Sequence, residues 1–183
     1  KSFLENKYSD FVVKAPIPAK NDTAFQNEKI KQNKSKDKFV ELIKSHTFVD
    51  YVEACKLLLD SGLSLDIEQL VKDLLERISL LQETIKKFNN IYQPNMSQFY
   101  DYYIPETLDL IVIYLEYVKL GKIEIVKKTE IEVVNAIKKL ILSIDDKIDE
   151  IYKFVAIEVR AKARTLENMM SQDGYVDPNF KIK

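Results

Sequence analysis

Apolar residues between Asp66 and Ala156 recur in three runs, each stepping alternately by four and three positions. The first reads Ile67, Val71, Leu74, Ile78, Leu81, Ile85, Phe88, Tyr92. Its repeat of about 3.5 residues keeps one seam of a helix turned toward a neighbour along its whole length, as in a coiled coil. Ser64 or Asp66 can cap this helix, and Gln93-Pro94-Asn95-Met96 stops it. The second run, opened by Ser97 and closed by Gly121, reads Phe99, Tyr103, Glu106, Leu110, Ile113, Tyr117, Leu120. Pro105 lies inside it, lacks a backbone donor, and predicts a kink or a tight first turn. The third, from about Val126, reads Val134, Ile137, Ile141, Ile144, Ile148, Ile151, Val155. Beyond Ala156 the spacing changes to Val159, Ala163, Leu166, Met169, Met170, which predicts a shorter fourth helix or a bent continuation, stopped by Asp173-Gly174. Connections of about four residues between long helices force successive helices to be antiparallel neighbours. The expected fold is all-α: an antiparallel bundle of three long helices with a shorter C-terminal helix and small N-terminal helices.

The N-terminal quarter is different. Residues 1–36 carry few apolar positions, and Lys14 to Lys20 includes Pro16 and Pro18, which exclude regular helix there. This stretch reads as a basic, proline-containing arm, either a solvated tether or a contact for an acidic partner or anionic surface. Two short helices are expected over Asp37 to Ser45 and Phe48 to Asp60, the second ending before Gly62, and both packing on the main body. The domain organisation is then an arm over 1–36, a helical bundle domain over 37–175 and a loose tail over 176–183. The start at Lys1, without methionine, leaves open a targeting or anchoring segment ahead of it.

Composition agrees with a helix-rich chain: 183 residues hold three Gly, five Pro and no Trp, with 46% hydrophobic and 31% charged residues. No apolar run is long enough to cross a bilayer, since the best, Leu108 to Leu120, is interrupted by Asp109, Glu116 and Lys119. The formal net charge of −1 hides an asymmetry. Residues 1–44 hold ten Lys against six Asp/Glu, and the rest of the chain is net acidic. Lys and Arg are not gathered on an aromatic-bearing helix, which disfavours a nucleic-acid role.

Candidate chemistry is sparse. One cysteine, Cys55, excludes an internal disulfide and any cysteine-based zinc site, and its leucine neighbours predict burial in a helix. A Cys-x5-Arg phosphatase loop would need arginine where Ser61 stands, and glycine at positions 62, 121 and 174 alone excludes a phosphate-cradling loop or a nucleophile elbow. The single histidine, His46, falls at an interhelix link and reads as a cap or surface residue. Asp145, Asp146, Asp149 and Glu150 form the densest acidic patch but flank the apolar seam, which places them on the wet side. Glu106 on the second seam would need water at the bundle end or a partner among Arg160, Lys162 and Arg164. No cofactor, metal or catalytic residue is expected. Five of the ten tyrosines lie between Tyr100 and Tyr117. Tyr100, Tyr102 and Tyr114 fall outside the traced seam, so they are candidates either for an interaction surface or for the contacts with the smaller helices.

The stretch Phe99-Tyr-Asp-Tyr-Tyr-Ile-Pro105-Glu-Thr-Leu108, continuing through Leu110, Tyr114, Tyr117 and Val118, resembles a signature of the bacterial 5-bromo-4-chloroindolyl phosphate hydrolysis protein family, also called XpaC-like. Leu166-Glu-Asn-Met-Met-Ser-Gln-Asp-Gly174 is similar to that family's Leu-Glu-x-Met-x-x-x-Asp-Gly ending. The resemblance covers roughly Asp66 to Tyr175. It implies a helical protein, often preceded by hydrophobic membrane segments and often linked to toxic-anion (tellurite) resistance proteins, and it carries no catalytic residues over. The resulting expectation is a non-catalytic interaction or scaffold module with a protein partner, in the cytoplasm or on the cytoplasmic face of a membrane. The alternatives are a weak aryl-phosphate hydrolase, as the family's name suggests, and a homo-oligomeric structural protein.

Overall fold

The computed structural model describes residues 37–121 and 123–175, so the arm expected over 1–36 and the tail over 176–183 lie outside the described residues. Helix α1 covers 37–44. It is followed by α2 (Phe48–Leu59), α3 (Leu65–Phe88), a π-helical turn (Phe99–Tyr103) that leads into α4 (Ile104–Lys119), and α5 (Ile123–Gln172). The described residues contain no strand. Thr47 starts α2 by accepting a hydrogen bond from the Asp50 N–H at 3.2 Å and donating its own hydroxyl to Asp50 Oδ2 at 2.8 Å. Ser64 occupies the first position before α3 but does not cap it; its hydroxyl donates to Glu130 Oε1 of α5 at 2.6 Å. The acidic first turn of α3 (Asp66, Glu68) and its basic last turn (Lys86, Lys87) both complement the helix dipole.

The direction of the long helices can be read from the pairs that join them. Ser64 meets Glu130, Arg77 Nε lies 3.2 Å from Asp145 Oδ1, and Phe88 packs edge-on against Tyr152. Numbers rise together on both helices, so α3 and α5 are parallel and pack directly; α4 runs back the other way in the chain between them, an up-down-up path in which α3 and α4 stand diagonally instead of as the neighbours expected from the sequence. The helices pack in the cyclic order α2, α3, α5, α4. The fourth corner of the bundle is therefore filled by α2, through Phe48, Tyr51, Ala54, Cys55 and Leu58. No separate C-terminal helix takes that corner, which corrects the sequence expectation in one particular. α5 is a single helix of 50 residues, about 75 Å at ~1.5 Å per residue, roughly twice as long as α3.

The core seams follow the expected spacing on α3 and depart from it on α4. Ile67, Val71, Leu74, Ile78 and Leu81 are completely buried. On α4 the buried face is Phe99, Ile104, Leu108, Ile111, Leu115, whereas Tyr103, Glu106, Ile113 and Leu120 of the expected seam are exposed. The cause is the π turn. Its hydrogen bond closes across five residues, so Phe99 and Ile104 share a face and every later position is rotated relative to an uninterrupted helix. On α5, Ile137, Ile144, Ile148, Ile151 and Val155 are buried as expected, with Val133 and Leu140 in place of Val134 and Ile141. From Ala156 onward no described side chain is buried. The last 17 residues of α5, about 25 Å, project past the bundle as a stem.

Candidate functional site

Two features invite a functional reading, the corner where α2 meets the π turn and the projecting stem. The corner begins with Pro105. A proline cannot donate a backbone hydrogen bond, so a carbonyl one turn earlier must lose its helical partner. In a regular α-helix that carbonyl would belong to Asp101. Here the Ile104 N–H reaches back to Phe99 O, and in that register the residue due to donate to Tyr100 O is Pro105. Tyr100 O is thereby released from the helical ladder, and two side chains take it. Tyr51 donates its hydroxyl to it, and His46 Nδ1 lies 3.0 Å away.

Both donors suit the task. Tyr51 is completely buried, and its phenol is pushed up to about 12, first by that burial and then by the negative charge of Asp101 and by Tyr100. It therefore keeps its proton and donates. His46 Nδ1 faces two acceptors, Tyr100 O and, at 3.2 Å, Asp101 Oδ1, so Nδ1 carries the hydrogen. The imidazole is placed by a left-handed backbone at His46, φ 55, which turns the chain between α1 and α2. Such a conformation costs about 1–3 kcal/mol in a non-glycine residue unless its surroundings hold it. The two contacts of the ring and the Thr47 cap that follows supply that hold. The Tyr100 ring completes the corner against Phe48, with centroids 4.4 Å apart.

Beside this corner lies an open groove of about 610 Å³, lined in part by His46, Asn89, Gln93, Asn95, Ser97 and Asp101. Ser97 is committed elsewhere: its hydroxyl donates to Asn95 Oδ1 at 2.8 Å and its N–H to the same oxygen at 3.1 Å, an Asx turn that starts the helix. His46 is spent on Tyr100 and Asp101. The arrangement fixes one helix to another and does not pair a nucleophile with a base.

The three tyrosines singled out from the sequence do not share a surface. Tyr102 is exposed, Tyr100 is half-buried against α2, and Tyr114 is 3% exposed and lies in the core. Of the two readings open to these tyrosines, Tyr100 takes the contact with a smaller helix, Tyr102 stays on the surface, and the phase shift at the π turn carries Tyr114 inward. Burial raises the Tyr114 phenol, whose hydroxyl meets Ser64 and Glu130. Glu106 is exposed, off the buried face. Of the acidic patch, Asp145 pairs with Arg77, and Glu150 receives Lys147 Nζ at 2.6 Å and the Tyr92 hydroxyl at 2.7 Å. Lys147 foremost, then Tyr92, holds the Glu150 carboxyl below its usual range. No three His, Cys, Asp or Glu side chains converge as a metal set among the described residues. Cys55 is buried within α2, and burial pushes its thiol up to about 12, well away from the reactive thiolate.

No known protein family, curated protein or solved structure matches the chain.

The stem is the feature that the apolar spacing announced without explaining. Five large apolar side chains stand exposed on it: Ile157, Val159, Leu166, Met169 and Met170, four of them more than half exposed. A free helix of this length is marginal in water, since most helical stability in proteins comes from packing an amphipathic face. The stem presents such a face beyond the reach of α3 and α4. Among the described residues, no helix is long and apolar enough to cross a membrane.

Proposed function

We propose that this chain is a non-catalytic helical interaction module whose working surface is the stem of α5. The observation that carries the reading is the exposure of Val159, Leu166, Met169 and Met170 on a helix that continues past its own bundle. Isolated exposed apolar residues are ordinary, but an apolar stripe on an unsupported helix marks a place where another helix docks. Two further facts support it: the single histidine holds a helix corner together, and the single cysteine is buried with its thiol raised. By the XpaC-like resemblance the module would work at the cytoplasmic face of a membrane, in company with a protein of toxic-anion resistance type that binds elsewhere than on the stem.

The rival reading is aryl-phosphate hydrolysis. Purified protein incubated with para-nitrophenyl phosphate, with and without magnesium, zinc or manganese, is expected to release nitrophenol no faster than buffer. Turnover that is lost in Asp101→Asn or His46→Gln, both still folded by circular dichroism, would replace the interaction module with an enzyme.

A further inference from the structure

We propose that the stem docks a second copy of this chain, pairing antiparallel with its counterpart about a two-fold axis near Ala163; the proposal rests on the stem being the working surface. The argument starts with spacing. The apolar stripe that leaves the core at Val155 continues through Val159, Ala163, Leu166 and Met170, in steps of four, four, three and four. An interface between identical copies about a two-fold axis must be self-complementary: if residue i meets j of the other copy, j must meet i. This stripe nearly satisfies that condition because its spacing reads almost the same in either direction from Ala163. Laid antiparallel, Val159 falls opposite Leu166 of the second copy, a large residue facing a large one, and Met170 reaches the end of the partner's bundle, where Val155 is already buried. The small side chain of Ala163 lies at the crossing point, where two backbones come closest.

Charge agrees with the register. In antiparallel helix pairs, residues flanking the seam on one side meet the same flank of the partner. Arg160 and Glu167 lie on one flank, nearly equidistant from the axis on either side, so each Arg160 faces Glu167 of the other copy and the dimer holds two such pairs. Lys162, on the opposite flank near the axis, can carry its charge out to solvent along its four-carbon stem. In a parallel arrangement each flank would instead meet the opposite flank of the partner, so Arg160 and Glu167, which share a flank, would not face each other.

Continuity with the core is the third argument. Val155 is 9% exposed within the bundle and is also the first residue of the stripe, so the face that packs α5 onto its own bundle runs without a break into the face left open. The step of four after Val155, where the seam above it would take three, rotates the stripe a little around the helix. The partner therefore docks beside the bundle's end rather than along α3.

Sedimentation equilibrium of the full 183-residue chain at micromolar concentrations and above tests this. The expected mass is twice 21.4 kDa, falling to the monomer in Leu166→Asp, a change at a position 58% exposed and outside the core. Charge reversal gives a second, milder variant: Glu167→Arg is expected to weaken the dimer by about 3–10-fold, and Arg160→Glu with Glu167→Arg to restore it. Oxidative cross-linking fixes the direction. Ala163→Cys is expected to form a disulfide-linked dimer and Met170→Cys not to, because two copies of residue 170 would stand far apart on opposite sides of the axis. A monomer at every concentration, a dimer that survives Leu166→Asp, or equal cross-linking at both cysteines would each overturn the proposal. The nitrophenyl phosphate assay is independent of these outcomes, so a monomeric, inactive protein would refute self-pairing while leaving the interaction module in place.

Discussion

Truncating Leu108 to alanine is expected to lower the unfolding free energy by about 2–5 kcal/mol, the usual range for removing a fully buried leucine. Ile113→Ala is expected to cost less than about 1 kcal/mol. The contrast follows from the π turn. Leu108 is completely buried, while Ile113, which an unbroken alternation of threes and fours would place in the seam, is 41% exposed. Urea denaturation followed by circular dichroism measures both. Similar losses at the two positions would mean that α4 packs in the uninterrupted register and that the rotation at Phe99–Tyr103 is wrong.

The second expected result concerns the released carbonyl. Tyr51→Phe and His46→Ala each leave Tyr100 O with one donor, whereas the double variant leaves it with none. An unsatisfied acceptor in a part-buried site costs about 1–3 kcal/mol, more than the net value of one hydrogen bond. The two substitutions together are therefore expected to destabilise by about 1 kcal/mol more than the sum of their separate effects, because both donors serve one oxygen. Tyr51→Phe removes only the hydroxyl and keeps the ring in its buried place, so packing is little disturbed. The same urea titrations, arranged as a double-mutant cycle, read the coupling directly. Simple additivity would show that the π turn does not depend on these two side chains.

Much of this architecture is legible in the chain, for reasons that can be traced to particular residues. On α3 the spacing from Ile67 to Leu81 matches the buried face residue for residue, because nothing interrupts the helix and one face alone meets its neighbours. On α4 the same method fails from Tyr103 onward. Pro105 is visible in the sequence, and its position five residues after Tyr100 is the signal that a π turn would free that carbonyl. What periodicity cannot contain is the pair of donors, since Tyr51 and His46 come from 49 and 54 positions earlier and are brought there only by the packing of α2. That α2 packs on the main body and that Cys55 is buried are both legible in the sequence; that α2 takes a full corner of the bundle is not, because Ala54 and Cys55 are too small to mark a seam, yet both are completely buried there. The change of spacing after Ala156 reads as either a separate fourth helix or a bent continuation. In the fold it marks a break in the surroundings, the point where α5 leaves its own bundle and its apolar stripe turns toward something else.

Hydrogen exchange along α5 tests the central claim most directly, because one helix carries both a packed segment and an unpacked one. Amides over residues 133–155 are expected to show protection near the global stability at every protein concentration. Those over 156–172 are expected to be weakly protected when dilute and to gain protection as concentration rises, while the packed segment stays unchanged. Protection of 156–172 equal to that of 133–155 at all concentrations would contradict the account, and so would a stem that exchanges like an unfolded chain however concentrated the protein becomes.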